Sequence, residues 1–93
     1  GDGSLPSPEK EVLAGDNVNY VVPQKVSGKD EFKFALRVEE PMENVDISIK
    51  DTDISFFQKI VTPGEMEVEE VGEEDLEELE GMDRLEVEVK RRN

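Results

Sequence analysis

Glu31-Phe32-Lys33-Phe34-Ala35-Leu36-Arg37-Val38 is the stretch whose reading decides the fold. Its apolar side chains alternate strictly: Phe32, Phe34, Leu36 and Val38 fall on one face, and Lys33, Ala35 and Arg37 on the other. Period two is the mark of a strand buried on one face only. The chain has only four phenylalanines and one tyrosine, and two of those phenylalanines lie here. The inner face of this segment is therefore expected to form the centre of a core. On the outer face, two bases flank a small residue in a very acidic chain. That makes Lys33, Ala35 and Arg37 a candidate docking patch, weighed against plain charge balance with neighbouring glutamates.

Working outward, the neighbouring segments repeat the strand period. Upstream, residues 1–8 are rich in Gly, Ser and Pro and read as a flexible lead-in. The start at Gly1-Asp2-Gly3-Ser4 reads as a cloning remnant on a fragment cut from something longer. A short edge strand, or an extended segment laid along the domain, is expected over residues 9–13, anchored by Val12 or Leu13. Ala14-Gly15-Asp16-Asn17 is a turn, since Gly and Asn tolerate positive φ. Val18-Asn19-Tyr20-Val21-Val22 is a strand with Val18, Tyr20 and Val22 inward. Tyr20 is thus expected in the core rather than as an exposed contact. Pro23 ends this strand, and Ser27-Gly28-Lys29-Asp30 is a loop.

Downstream, Val45, Ile47 and Ile49 alternate with Asp46, Ser48 and Lys50, and Asp51-Thr52-Asp53 turns the chain. Residues 54–61 form a further strand with two open phases. Either Ile54, Phe56 and Ile60 share the inner face, or a bulge at the Phe pair brings Phe57 and Val61 inward. Thr62-Pro63-Gly64-Glu65 is a turn. Residues 66–71 are a strand with Met66 and Val68 in phase and Val71 one residue out. Leu76 and Leu79 at i, i+3 with Gly81 beyond them predict a two-turn helix over residues 74–80. Leu85, Val87 and Val89 give the last strand, and residues 91–93 a frayed tail. Six to seven short strands about ten residues apart argue for an all-β fold, an immunoglobulin-like antiparallel β-sandwich with one short helix before the last strand. Residues 9–90 would make its single domain.

Composition narrows the function. The net charge is −14, and ten of the 25 carboxylates lie between Glu65 and Glu80, where there is no Lys or Arg. Nucleic acid and anionic lipid are bound through Lys and Arg on phosphates, so neither nucleic acid nor membrane is an expected partner. There is no cysteine and no histidine: no disulfide framework, no thiolate metal site, and no usual general base. No apolar run reaches the length of a membrane span.

The remaining constellations are weak. The run between Glu65 and Glu80 clusters oxygen ligands of the kind Ca²⁺ prefers, but without the Asp, Asn and Gly offsets of a calcium loop, and it reads as a solvated face. Asp51 and Asp53, with Asp46, are a second calcium candidate and read more simply as turn chemistry. Paired carboxylates also suit glycoside hydrolysis, yet no cleft is expected here to desolvate the acid. Ser27, Ser48 and Ser55 have no histidine to activate them. Glycines 15, 28, 64, 72 and 81 make no phosphate-cradling Gly-x-Gly-x-x-Gly. No catalytic, cofactor-binding or metal residue is assigned.

The order of features resembles the small C-terminal accessory domain of bacterial FAD-dependent, NAD(P)-linked oxidoreductases. These are the flavoproteins related to thioredoxin reductase and to the anaerobic glycerol-3-phosphate dehydrogenases. The resemblance rests on Gly15-Asp16-x-Val18-x-Tyr20-x-Val22-Pro23-Gln24, on Phe34-x-Leu36-Arg37-Val38 with Asn44-Val45, and on Pro63-Gly64-Glu65-Met66. It continues through Asp75-Leu76 and a closing strand at Leu85. One departure is Phe56-Phe57-Gln58-Lys59, where such domains tend to be basic. The resemblance implies a non-catalytic packing module of a cytoplasmic enzyme. FAD and NAD(P) would belong to the parent polypeptide, and the partner would be its catalytic body or a second subunit. The isolated domain would be monomeric. The competing expectation is an extracellular adhesion or ligand-binding β-sandwich, calcium-dependent through the carboxylates named above.

Overall fold

A computed structural model describes residues 11–24 and 32–92. Among these, the elements run β1 (Glu11–Ala14), β2 (Val18–Gln24), β3 (Phe32–Val38), β4 (Met42–Ile49), β5 (Ser55–Val61), β6 (Glu67–Val71), α1 (Glu73–Leu79) and β7 (Arg84–Arg91). The strands form two sheets, ordered β1-β7-β4-β5 and β2-β3-β6. The chain is thus an all-β sandwich of seven strands with one short helix before the last. It is immunoglobulin-like in strand count and two-layer build, but its partition of strands is its own. An immunoglobulin constant domain divides its strands ABED from CFG. Here the first and last strands share a sheet with the β4-β5 hairpin, and β6 joins the β2-β3 hairpin in the other. Every pairing is antiparallel except that of β1, which runs parallel to β7.

The core follows from the alternating strands. Phe34, Leu36 and Val38 of β3 are fully buried, facing Val45, Ile47 and Ile49 of β4 and Leu85, Val87 and Val89 of β7. Phe32, at the start of β3, is half-buried against the same cluster. The Phe34 ring lies 6.0 Å from that of Phe32 and meets Phe56 of the other sheet edge-on at 6.1 Å, so one ring ties the two layers together.

The Gly15-Asp16-Asn17 turn shows why those residues stand there. The Gly15 N–H donates to the Val87 carbonyl (2.8 Å), and the Val89 N–H donates to the Asp16 carbonyl (2.9 Å). The chain therefore hugs β7 beyond the end of β1. A methyl on Gly15 would sit 2.9 Å from Glu86 Cγ and 3.0 Å from the Val87 carbonyl oxygen. Asn17 then turns the chain over to the second sheet with φ of +65°, its side-chain amide donating to the Val89 carbonyl at 2.7 Å. The helix is also as expected: Leu79 is fully buried, Leu76 packs on the core, and Gly81 closes the end with φ of +82°. The turn after β4 carries Asp51 at φ +67°, and Thr52 Oγ1 donates to the Ile49 carbonyl at 2.8 Å. Glu78 of α1 accepts the Asp53 N–H at 2.9 Å and so pins the helix to this turn.

Five expectations are corrected, the first being that β2 does not end at Pro23 but runs through it to Gln24. In β2, Val18 and Val21 point inward, while Tyr20 and Val22 are each 40% exposed. Val18 pairs with Val38 but Tyr20 with Arg37. Two residues of β2 thus oppose one of β3, and this bulge at Asn19 reverses the phase. In β5, neither anticipated phase holds: Ile54, Phe56 and Gln58 lie inward, the break falls near Asn44 of the partner strand (φ +51°), and Val61 is buried while Phe57 and Ile60 are exposed. In β6, Met66 and Val68 are at the surface, and Glu67, Glu69 and Val71 face inward. Finally, the tail does not fray at residue 91. β7 runs through Arg91, and Arg92 is held by Asp46. Residues 1–10, with the expected lead-in, the loop at 25–30, and Glu31 and Asn93, lie outside the described residues.

Candidate functional site

The outward faces of the two sheets differ in kind. On the four-stranded sheet, charges answer one another. Arg92 donates to Asp46 through both Nη2 (2.6 Å) and Nε (3.1 Å) and lies over the Phe57 ring at 4.4 Å. Lys90 pairs with the nearly buried Glu88 at 3.1 Å, and Lys50 with Glu86 at 3.9 Å. The Arg92 fork holds the Asp46 carboxyl below its ordinary value, and the Glu88 carboxylate raises the Lys90 ammonium. Among the described residues this sheet pairs its cations within the chain except Lys59 of β5, where Phe57 and Ile60 are also exposed.

The three-stranded sheet does not. Register places Ala35 of β3 between Val22 of β2 and Val68 of β6. Val68 is 50% exposed and Met66, just before β6, 39%. Tyr20 pairs with Arg37 one row away, and Gln24 and Glu70 flank Lys33 in the other direction. Ala35 itself is fully buried on this outward face. The result is an apolar stripe across all three strands with a cation on either side. Among the described residues neither Lys33 nor Arg37 has a carboxylate within ion-pair distance, and Arg37 Nε is buried without an acceptor.

β6 explains how this face arises. Val71, fully buried, fixes the strand's phase, and period two then sends Glu69 and Glu67 inward and Val68 and Met66 outward. Glu69 sits at the open edge of the sandwich, where it accepts a hydrogen bond from Gln58 of β5 at 2.9 Å. Burial raises the Glu69 carboxyl despite that bond. Glu67 is raised chiefly by burial and further by the charges of Glu69 and Glu65. The acidic run is therefore not a uniformly solvated face: two of its carboxylates point between the sheets.

The calcium candidates do not converge. Asp46 is taken by Arg92 on the sheet face, and Asp51 and Asp53 stand in the β4-β5 turn. Among the described residues no group of three or more acidic side chains is placed to hold a metal ion. Ser48 and Ser55 are cross-strand partners on a sheet, and Ser27 lies outside the described residues. Among the described residues no helix is long and apolar enough to cross a membrane. The Lys33, Ala35 and Arg37 face was legible in the sequence; its apolar neighbours were not, because the β2 bulge and the inverted β6 reassign Tyr20, Val22, Met66 and Val68 to it. Compared with protein-family models, curated proteins and solved structures, the chain matches none of them.

Proposed function

We propose that this chain is a non-catalytic packing module that docks onto a larger body through the outer face of its β2-β3-β6 sheet. The observation that carries the reading is the contrast between the two sheet faces. Among the described residues, one pairs all its cations but Lys59 internally and exposes Phe57 and Ile60 at its β5 edge; the other exposes Tyr20, Val22, Met66 and Val68 across three strands around two unpaired cations, Lys33 and Arg37. A contiguous apolar patch framed by polar residues is the usual mark of an interaction surface. β6 strengthens the case, since it turns two carboxylates toward the interior while presenting Met66 and Val68 to water.

The body to which it docks is, on the resemblance of feature order between Leu13 and Val89, the catalytic part of a cytoplasmic FAD- and NAD(P)-dependent oxidoreductase in the same polypeptide. Two stretches of that resemblance fall on the face itself: Tyr20-x-Val22 on β2, and Met66 at the end of Pro63-Gly64-Glu65-Met66. The chemistry would belong to the body, and the module would contribute packing area. Translating the open reading frame that encodes these residues tests the reading. A flavin- and dinucleotide-binding region in the same polypeptide is expected, and a frame without one overturns the assignment of the body.

A further inference from the structure

From the cations on this face we infer the chemistry of the surface that covers it: an apolar protein surface carrying isolated carboxylates, one opposite Arg37 and one within reach of Lys33. The inference rests on the docking reading above and adds what the partner must bring. Lys50, Arg84, Lys90, Arg91 and Arg92 each lie within ion-pair distance of a carboxylate of this chain. With 25 acids to 11 bases, a cation here finds a partner easily. Among the described residues Lys33 and Arg37 have none, and they sit together on one face, either side of the buried Ala35. The third such cation, Lys59, is on β5 in the other sheet.

A cover without acids would strip water from Arg37 with no counter-charge and from Lys33 with only Glu70 across the strand pair, and desolvating an ion without a counter-charge is among the heaviest costs an interface can carry. Arg37 makes this sharper: its Nε–H already lies buried without an acceptor, and a guanidinium pairs with carboxylates through its remaining N–H groups. Phosphate surfaces fit poorly, because the ten carboxylates between Glu65 and Glu80 adjoin the face through β6. A second copy fits poorly too, since it brings another net charge of −14 and, among the described residues, only Glu70 on the matching face. The same excess of charge requires the partner's carboxylates to stand singly in apolar or basic surroundings.

The test uses the full-length polypeptide. Hydroxyl-radical oxidation first reports whether Tyr20 and Met66 are covered, with Phe57 on the opposite sheet as reference. Zero-length carbodiimide coupling, mapped by mass spectrometry, then reports what Lys33 touches, with Lys59 as the off-face control. The expected result is protection of Tyr20 and Met66, and an amide crosslink from Lys33 to an Asp or Glu of the body that Lys59 does not form. Arg37→Met is expected to raise the undocked fraction, read as oxidation of Tyr20 and Met66, by about tenfold, the scale of one charge-assisted hydrogen bond. Protection without a Lys33 crosslink, together with an unchanged Arg37→Met, leaves the docking reading standing and overturns the acid-bearing partner. Tyr20 and Met66 as reactive as Phe57 overturns docking and the inference with it. A Lys33 crosslink to a second copy overturns the choice of partner.

Discussion

Phe34 joins the two layers, since its ring contacts Phe32 in its own strand and Phe56 across the core. Phe34→Ala would leave a cavity between the two sheets where the ring now packs. A loss of about 3–5 kcal/mol is expected from removing a fully buried phenyl ring, read as a lowered urea midpoint; a change below about 1 kcal/mol would contradict the packing described. Glu67 and Glu69 make the opposite case, of residues placed against their own preference. Both carboxyls are raised above the ordinary 4.5. The folded chain therefore keeps protons that the unfolded chain releases between 4.5 and the raised values. The stability from this source is complete below pH 4.5 and is lost as the pH climbs through that window. Asp46 works the other way: held below 3.8 by Arg92, it supports the fold above that pH and ceases to as the pH falls past it. Urea midpoints against pH should fall on the alkaline side of 4.5, and Glu67→Gln with Glu69→Gln should flatten that fall. An unchanged slope in the double variant would place the pH dependence elsewhere.

β1 is four residues long and exposed at three of them, so its place beside β7 depends on the turn that follows. Gly15→Ala would push a methyl against the backbone carbonyl of Val87, which cannot swing aside as a side chain can. Gly64 is its control, because a methyl added there would meet nothing within 4 Å and its φ is not positive. Gly15→Ala is expected to cost about 1–3 kcal/mol. Gly64→Ala should be neutral or stabilising by a few tenths, since alanine restricts the unfolded chain. If the two variants melt together, the close approach at Gly15 is not what fixes β1. The strands also show what a sequence can and cannot carry. β3, β4 and β7 were legible because Phe34-Leu36-Val38, Val45-Ile47-Ile49 and Leu85-Val87-Val89 alternate without a break. The Lys33, Ala35 and Arg37 side of the candidate face came with them. The phases of β2, β5 and β6 were not legible. A bulge at Asn19 and the left-handed Asn44 shift alternation through backbone geometry that side-chain pattern does not encode. In β6, Val71 outweighs Met66 and Val68 because its position is buried by the opposite sheet, a tertiary fact absent from a local reading.

Over the whole molecule, the paired cations are dispersed, and the excess of negative charge is not. The first turn of α1 holds Glu73, Glu74 and Asp75, where the helix dipole favours them, but its last turn has no base, and Glu77, Glu78 and Glu80 crowd the negative end. Glu65, Glu67 and Glu69 repel one another along β6, two of them in a partly desolvated setting. Against this stand, among the described residues, five exposed or partly exposed ion pairs, of the kind that water and salt screen heavily. Salt acts on both sets at once. It weakens the few favourable pairs a little and the many unfavourable ones more, because repulsion in the segment between Glu65 and Glu80 spans distances comparable to the screening length of ~10 Å at 0.1 M. Repulsion should win at low ionic strength. The expected outcome is a thermal midpoint that rises as NaCl is increased from about 0.01 to 0.15 M, with the largest gain in slowed amide exchange falling on β6 and α1 rather than on β4 and β7. A midpoint that falls with salt would mean that the ion pairs of the four-stranded sheet, and not the acidic segment, dominate the electrostatics of the fold.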